Sequence, residues 1–192
     1  MKIGLTGGLG CGKSTASKIF AQLGFKTLDS DLLVEEIYAT DPNVQVAIGE
    51  YFGKEVFNQK GAIDKKLLGA KVFNDKQALT WLENLIHPKV QQLWEKYIAE
   101  DPKSNWIVEI PLLFEKNLEN GFDLIICLSA QLDVQLSRLV EKGMSLQDAK
   151  ARIACQMPLN QKETRADYII HNNGTIDSLR TQIYSFLETL NH

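Results

Sequence analysis

One stretch near the amino terminus constrains this chain more than any other: Gly7-Gly8-Leu9-Gly10-Cys11-Gly12-Lys13-Ser14. It fits Gly-x-x-x-x-Gly-Lys-Ser/Thr, the pattern of a phosphate-binding P-loop. A P-loop needs a strand before it and a helix after it. Residues 2–6 are short and apolar enough for a buried strand, and residues 15–23 set Ile19, Phe20 and Leu23 at helical spacing. Glycines let the loop turn tightly and bring backbone N–H groups onto an anion without Cβ clashes. Those groups and the positive end of the helix form a phosphate cradle. Gly10, Cys11 and Gly12 supply the cradle. Lys13 bridges the outer phosphates as a point charge, Ser14 offers a hydroxyl to Mg²⁺, and Thr15 reaches the α-phosphate.

The rest of the chain fits one nucleotide-binding domain. A chain of 192 residues buries a sizeable core. Its hydrophobic content of 44% and charged content of 23% are ordinary for a globular protein. The net charge of -3 provides no basic field for nucleic acid, so a nucleotide must be met by locally placed cations. Cys11, Cys127 and Cys155 lie too far apart for a zinc site or disulfide framework. No apolar run reaches membrane-spanning length, and the first residues do not form a signal segment. A cytoplasmic protein, monomeric or weakly homo-oligomeric, is the expectation, with neither nucleic acid nor membrane as partner.

Further apolar runs at residues 25–28, 106–110, 124–128 and 168–170 predict four more strands, separated by helices. Near-continuous apolar strands of this kind indicate a parallel sheet covered on both faces. The fold class is therefore α/β, a P-loop NTPase with a five-stranded parallel sheet, and its ligand belongs at the carboxyl ends of the strands. The core spans about residues 1–31, 104–130 and 166–192. Residues 32–103 read as a helical insertion, with apolar positions at Leu67, Val72, Leu79, Leu82, Leu85, Ile86, Val90, Leu93 and Trp94. His87-Pro88 interrupts the helical pattern there. Residues 131–165 form a charged helical stretch carrying Arg138, Lys142, Lys150, Arg152 and Lys162. That stretch is either a solvated face or a lid bringing cations over a nucleotide.

Asp29-Ser30-Asp31 ends the second strand. One carboxylate there can orient an acceptor hydroxyl, and the other can hold Mg²⁺. Either can also cap a helix. Glu109, an acid inside an apolar run, could support Mg²⁺ through water or serve the structure alone. Cys11 is exposed to phosphate by its position in the loop. Asn172-Asn173-Gly174 follows the fifth strand, where a base contact and plain turn chemistry are both open.

Together these segments resemble the dephospho-coenzyme A kinase family nearly end to end. The opening Leu5–Thr15 block resembles the family's P-loop, and Leu28-Asp29-Ser30-Asp31 its Asp-Ala-Asp segment. Leu85-Ile86-His87-Pro88 is similar to its His-Pro helix, and Pro111-Leu112-Leu113-Phe114-Glu115 to its Pro-Leu-Leu-Phe-Glu signature. Arg152-Ile153, Gln156-Met157-Pro158-Leu159, Lys162, Ala166-Asp167-Tyr168-Ile169-Ile170 and Asn173-Gly174 resemble its carboxyl-terminal block. The P-loop is common to many NTPases; the Pro-Leu-Leu-Phe-Glu and Gln-Met-Pro blocks are far more specific.

The resemblance implies that ATP, with Mg²⁺, phosphorylates the ribose 3′-hydroxyl of dephospho-coenzyme A. It implies Asp31 facing that hydroxyl, Lys13 and Arg138 in catalysis, and Arg152 and Asn173 on the nucleotide. It further implies Ser14 and Asp29 on the metal, an acceptor held by the insertion and residues 111–115, and a lid at 131–165. The chain departs from the family where a second lid arginine is expected, having Lys142 followed by Gly143, and in a longer stretch at Ser129 to Gln135. A nucleoside or nucleoside monophosphate kinase would use the same sheet and loop. A regulatory GTPase would need Asn-Lys-x-Asp, and Asn160-Gln161-Lys162-Glu163 has the wrong order. A relic P-loop in a structural protein would not need to keep Lys13-Ser14.

Overall fold

The computed structural model describes residues 1–73 and 75–190. They form two compact units, Met1–Asp29 with Pro102–His192, and Ser30–Asp101.

The first unit is built on five parallel strands, β1 (Lys2–Gly7), β2 (Lys26–Asp29), β3 (Trp106–Glu109), β4 (Leu124–Ser129) and β5 (Tyr168–His171), in the order β2-β3-β1-β4-β5. All five expected strands are present, with ends shifted by a residue or so. β1 lies at the centre because both its edges pair, with β3 and with β4. Chain connections leave β1 where the strand order diverges, the place where open α/β sheets bind ligands.

Strand alternation sorts the side chains of β1. Ile3 and Leu5 point into a cluster with Ile107, Ile126, Leu128 and Ile170, covered by Phe20 of α1 (Lys13–Gln22) and by Leu179, Ile183 and Phe186 of α9 (Ile176–Thr189). Phe20 and Phe186 meet edge to face at 6.3 Å, and Tyr168 lies 4.8 Å from Phe186. Gly4, on the other face, is overlaid so closely that a Cβ would come within 2.8 Å of Leu113 and 3.1 Å of Phe122.

Between β4 and β5 run α6 (Leu132–Glu141), α7 (Leu146–Ala154) and α8 (Leu159–Arg165). Gly143, at φ 90°, ends α6 just after Lys142. Helix α8 packs against β1 and β4. Lys162 on α8 is therefore fully buried, not part of a solvated face.

The second unit contains α2 (Ser30–Thr40), α3 (Pro42–Phe52), α4 (Lys65–Val72) and α5 (Lys76–Glu100), as the helical reading requires. Asp41, Asp64 and Asp75 open α3, α4 and α5 by accepting first-turn amides, each worth ~1 kcal/mol. At His87-Pro88, where the sequence pattern is interrupted, α5 continues through the proline. Leu82, Ile86, Val90 and Trp94 bury one stripe at four-residue spacing on both sides of the proline. That burial offsets the one backbone hydrogen bond that proline removes. Leu67 and Leu79, expected in the apolar faces, are instead 44% and 40% exposed, and Leu68 takes the core position in α4. No described helix is long and apolar enough to cross a membrane.

Candidate active site

The loop leaves β1 at Gly7 and enters α1 at Lys13. Its glycines answer to neighbouring chain segments that press on them. A Cβ on Gly7 (φ 141°) would sit 2.2 Å from the Leu128 carbonyl oxygen. One on Gly10 (φ 80°) would sit 2.7 Å from the Gln135 carbonyl oxygen, and one on Gly12 (φ 93°) 2.4 Å from Asn172 Nδ2. No L side chain fits those spaces or adopts those angles cheaply. Gly12 caps α1 in the left-handed region, and the first turn of α1 holds no acidic residue to neutralise its positive end.

The Lys13 side chain is 8% exposed, and its ammonium donates to the carbonyls of Gly7 at 3.2 Å and Gly8 at 3.1 Å. The loop thus curls round its own cation. Ser14 donates its hydroxyl to Glu109 Oε1 at 3.1 Å. Glu109 ends β3, is buried, and lies in register with Asp29 at the end of β2. Two carboxylates and a hydroxyl thereby lie at the carboxyl end of the sheet. This hard-oxygen set suits Mg²⁺, which takes one or two carboxylates and completes its shell with phosphate and water. Thr15 is half-buried in the first turn of α1.

Cys11 does not face the phosphate side. Its side chain is buried in the cluster beneath the loop. Burial pushes its thiol pKa up against the opposing pull of Lys13. Its backbone remains part of the loop, and its carbonyl accepts from Asn172 Nδ2 at 2.9 Å.

Arg138 of α6 reaches the same place. Its guanidinium donates to the Gly10 carbonyl at 3.4 Å, Asn172 Oδ1 at 3.4 Å and the Gly174 carbonyl at 3.5 Å. Gln135, one turn earlier, is buried and bonded to the Ala130 carbonyl at 2.8 Å. Arg152 is exposed in the last turn of α7. Asn173 accepts from the Gln131 N–H at 2.7 Å and so fastens the start of α6. Asp31 lies in the first turn of α2, two residues beyond Asp29, with an exposed side chain.

Asn172, Glu109 and Lys162, each named in the sequence with alternatives open, take definite places here. Asn172, not its neighbour, touches the loop. Glu109 is the carboxylate that Ser14 contacts. Lys162 carries a buried charge beside Glu115, at 2.8 Å. The isolated acid in an apolar strand pointed to Glu109. Nothing local marks Lys162 as buried.

Comparison with known proteins agrees with the geometry. The sequence profile of a family described as dephospho-CoA kinase matches residues 1–178. A dephospho-CoA kinase of Lactobacillus johnsonii is 35% identical over 193 residues, covering 98% of this chain and 97% of that protein. A crystal structure from Thermus thermophilus superposes with a TM-score of 0.87 at 30% identity, covering 99% of this chain and 97% of that one. A dephospho-CoA kinase from Campylobacter jejuni does so with a TM-score of 0.72 at 29% identity, covering 99% and 98%.

Proposed function

The chain belongs to the dephospho-CoA kinase family, and from that premise we propose how its residues share the work of phosphorylating dephospho-coenzyme A with ATP, the final step of coenzyme A biosynthesis. The γ-phosphoryl group passes to the ribose 3′-hydroxyl, giving coenzyme A and ADP. The observation that carries this reading is the glycine loop curled round the buried Lys13 ammonium at the carboxyl end of β1.

In this reading the backbone of Gly10, Cys11, Gly12, Lys13, Ser14 and Thr15 holds the nucleotide phosphates. Lys13 follows the charge that develops on the transferring group, where a preorganised cation acts most strongly. Ser14 and Asp29 would hold Mg²⁺, with Glu109 as the neighbouring carboxylate, and the ion would supply positive charge against the phosphate oxygens of ATP. Arg138 stabilises the same charge, and its contact with the Gly10 carbonyl supports that role. Arg152 and Asn173 act on the nucleotide from the segment 131–165 and the turn after β5. Asp31 orients the acceptor hydroxyl and takes its proton; its position just past the end of β2 supports this assignment. Residues 111–115 hold the acceptor.

The reaction belongs to the cytoplasm, with the chain acting as a monomer or weak homo-oligomer and without nucleic acid or membrane as partner. The free thiols of Cys11, Cys127 and Cys155 suit a reducing compartment. The test is ADP release from ATP and Mg²⁺ with dephospho-coenzyme A, a nucleoside monophosphate or no acceptor. Only the first should give rapid turnover; equal rates with all three would refute the assignment.

A further inference from the structure

Lys162 is fully buried, yet it lies on a helix that otherwise looks solvated. Its ammonium sits 2.8 Å from Glu115 Oε1 and donates to the Pro111 carbonyl at 2.7 Å. Each partner is shared with another segment. Glu115 Oε1 also accepts from the Met157 N–H at 3.0 Å, and the Pro111 carbonyl also accepts from the Thr6 hydroxyl at 3.4 Å. Next to Met157, Gln156 Oε1 accepts from the Leu9 N–H of the P-loop at 3.2 Å. The contacts close a ring: Leu9, Gln156-Met157, Glu115, Lys162, Pro111 and Thr6. A second tie lies on the same helix. Arg165 donates to the Phe114 carbonyl at 3.4 Å, stacks 4.6 Å above the Phe114 ring and pairs with Glu119.

Stability alone is a poor reason for such a pair. Desolvating two charges is costly, and apolar replacements of buried ion pairs are often neutral or stabilising. What an apolar pair cannot do is fix the direction of several hydrogen-bonded segments at once. We infer that Lys162 is a positioning residue for the acceptor. It sets the shape of loop 111–115 and locks that loop to the P-loop through Glu115, Met157 and Gln156. This rests on the proposed assignment of that loop to dephospho-coenzyme A.

The test compares wild type with Lys162→Met and with the double variant Lys162→Met/Glu115→Gln. For Lys162→Met, the KM for dephospho-coenzyme A should rise about tenfold or more, the loss of one well-placed polar anchor. ADP affinity should change less than about threefold, because the P-loop itself is intact. Amide exchange in residues 111–118 should accelerate while that of α1 stays the same. The double variant leaves no unpaired buried charge, so it should recover thermal stability and still keep the raised KM. Unchanged exchange and KM in Lys162→Met would overturn the inference. So would a wild-type KM in the double variant, or failure of both variants to fold. Absence of wild-type turnover would instead refute the proposed acceptor, and the exchange measurement, which needs no acceptor, would still decide whether Lys162 sets the loop.

Discussion

Gly12→Ala is the substitution whose cost the structure defines most closely. Gly12 has φ 93°, and a Cβ there would lie 2.4 Å from Asn172 Nδ2. Alanine in the left-handed region costs about 1–2 kcal/mol. The clash adds to this, since the Asn172 amide is buried and holds the Cys11 carbonyl at 2.9 Å. Pushing it aside leaves a buried carbonyl unsatisfied, about 1–3 kcal/mol. The sum is about 2–5 kcal/mol. Spent on the loop's productive shape, it lowers kcat/KM by roughly 30-fold to several thousand-fold. Spent on global stability, it lowers Tm by roughly 4–20 °C in a chain of this size. Steady-state kinetics and a melting curve on one sample read both. Adding Asn172→Ala removes the clash but also removes the donor to the Cys11 carbonyl and leaves the backbone strain, so the double variant should melt close to Gly12→Ala. Wild-type turnover and Tm in Gly12→Ala would refute the account of the loop.

Three other outcomes follow from the site. Asp31→Asn keeps the side-chain size but cannot take a proton, so turnover should fall roughly 10²–10⁴-fold with Tm close to wild type; full activity, or loss only through unfolding, would make Asp31 a cap. Arg138→Ala should slow transfer with the fold intact, Arg138→Lys should restore only part because lysine lacks the planar fork, and Arg152→Ala should slow transfer too; unchanged kinetics in both alanine variants would leave Arg138 a structural tie to the loop and Arg152 a solvated side chain. Burial pushes the Cys127 thiol from its ordinary 9.0 up to about 12 and moves Cys11 in the same direction. Above pH 9 the unfolded chain releases these protons before the folded chain does, so stability should fall as pH rises through that window. A Tm–pH curve should show this slope, reduced in Cys127→Ala; identical slopes would refute the burial argument.

The features legible in the sequence were those in which one residue type answers one local demand. Glycines at tight turns, the Lys13-Ser14 pair and the buried apolar runs of β1, β3 and β4 all carry their reasons with them, whereas β2, Lys-Thr-Leu-Asp, is an edge strand without a buried residue. Asn172 was legible in principle: the two-residue period that buries Ile170 also turns Asn172 inward and leaves Asn173 exposed. Lys162 was not, because a lysine amid Gln161 and Glu163 carries no local mark of burial. Only the packing of α8 on β1 and β4, beside Glu115 from a distant segment, takes it out of water. Pro88 and Cys11 show the same limit: a buried stripe carries α5 through the proline, and the core beneath the loop draws the thiol inward.

The central claim is that the loop around Lys13 delivers the γ-phosphoryl group of ATP to the ribose 3′-oxygen of dephospho-coenzyme A. The direct measurement is phosphorus NMR of the product formed with ATP and Mg²⁺, by wild type and by Lys13→Ala. Wild type should yield a new 3′-phosphomonoester with one ADP per product. Lys13→Ala should yield it roughly 10²–10³-fold more slowly or worse, with ATP binding weakened less than turnover. Phosphate on another oxygen, or near-normal product formation by Lys13→Ala, would contradict the account.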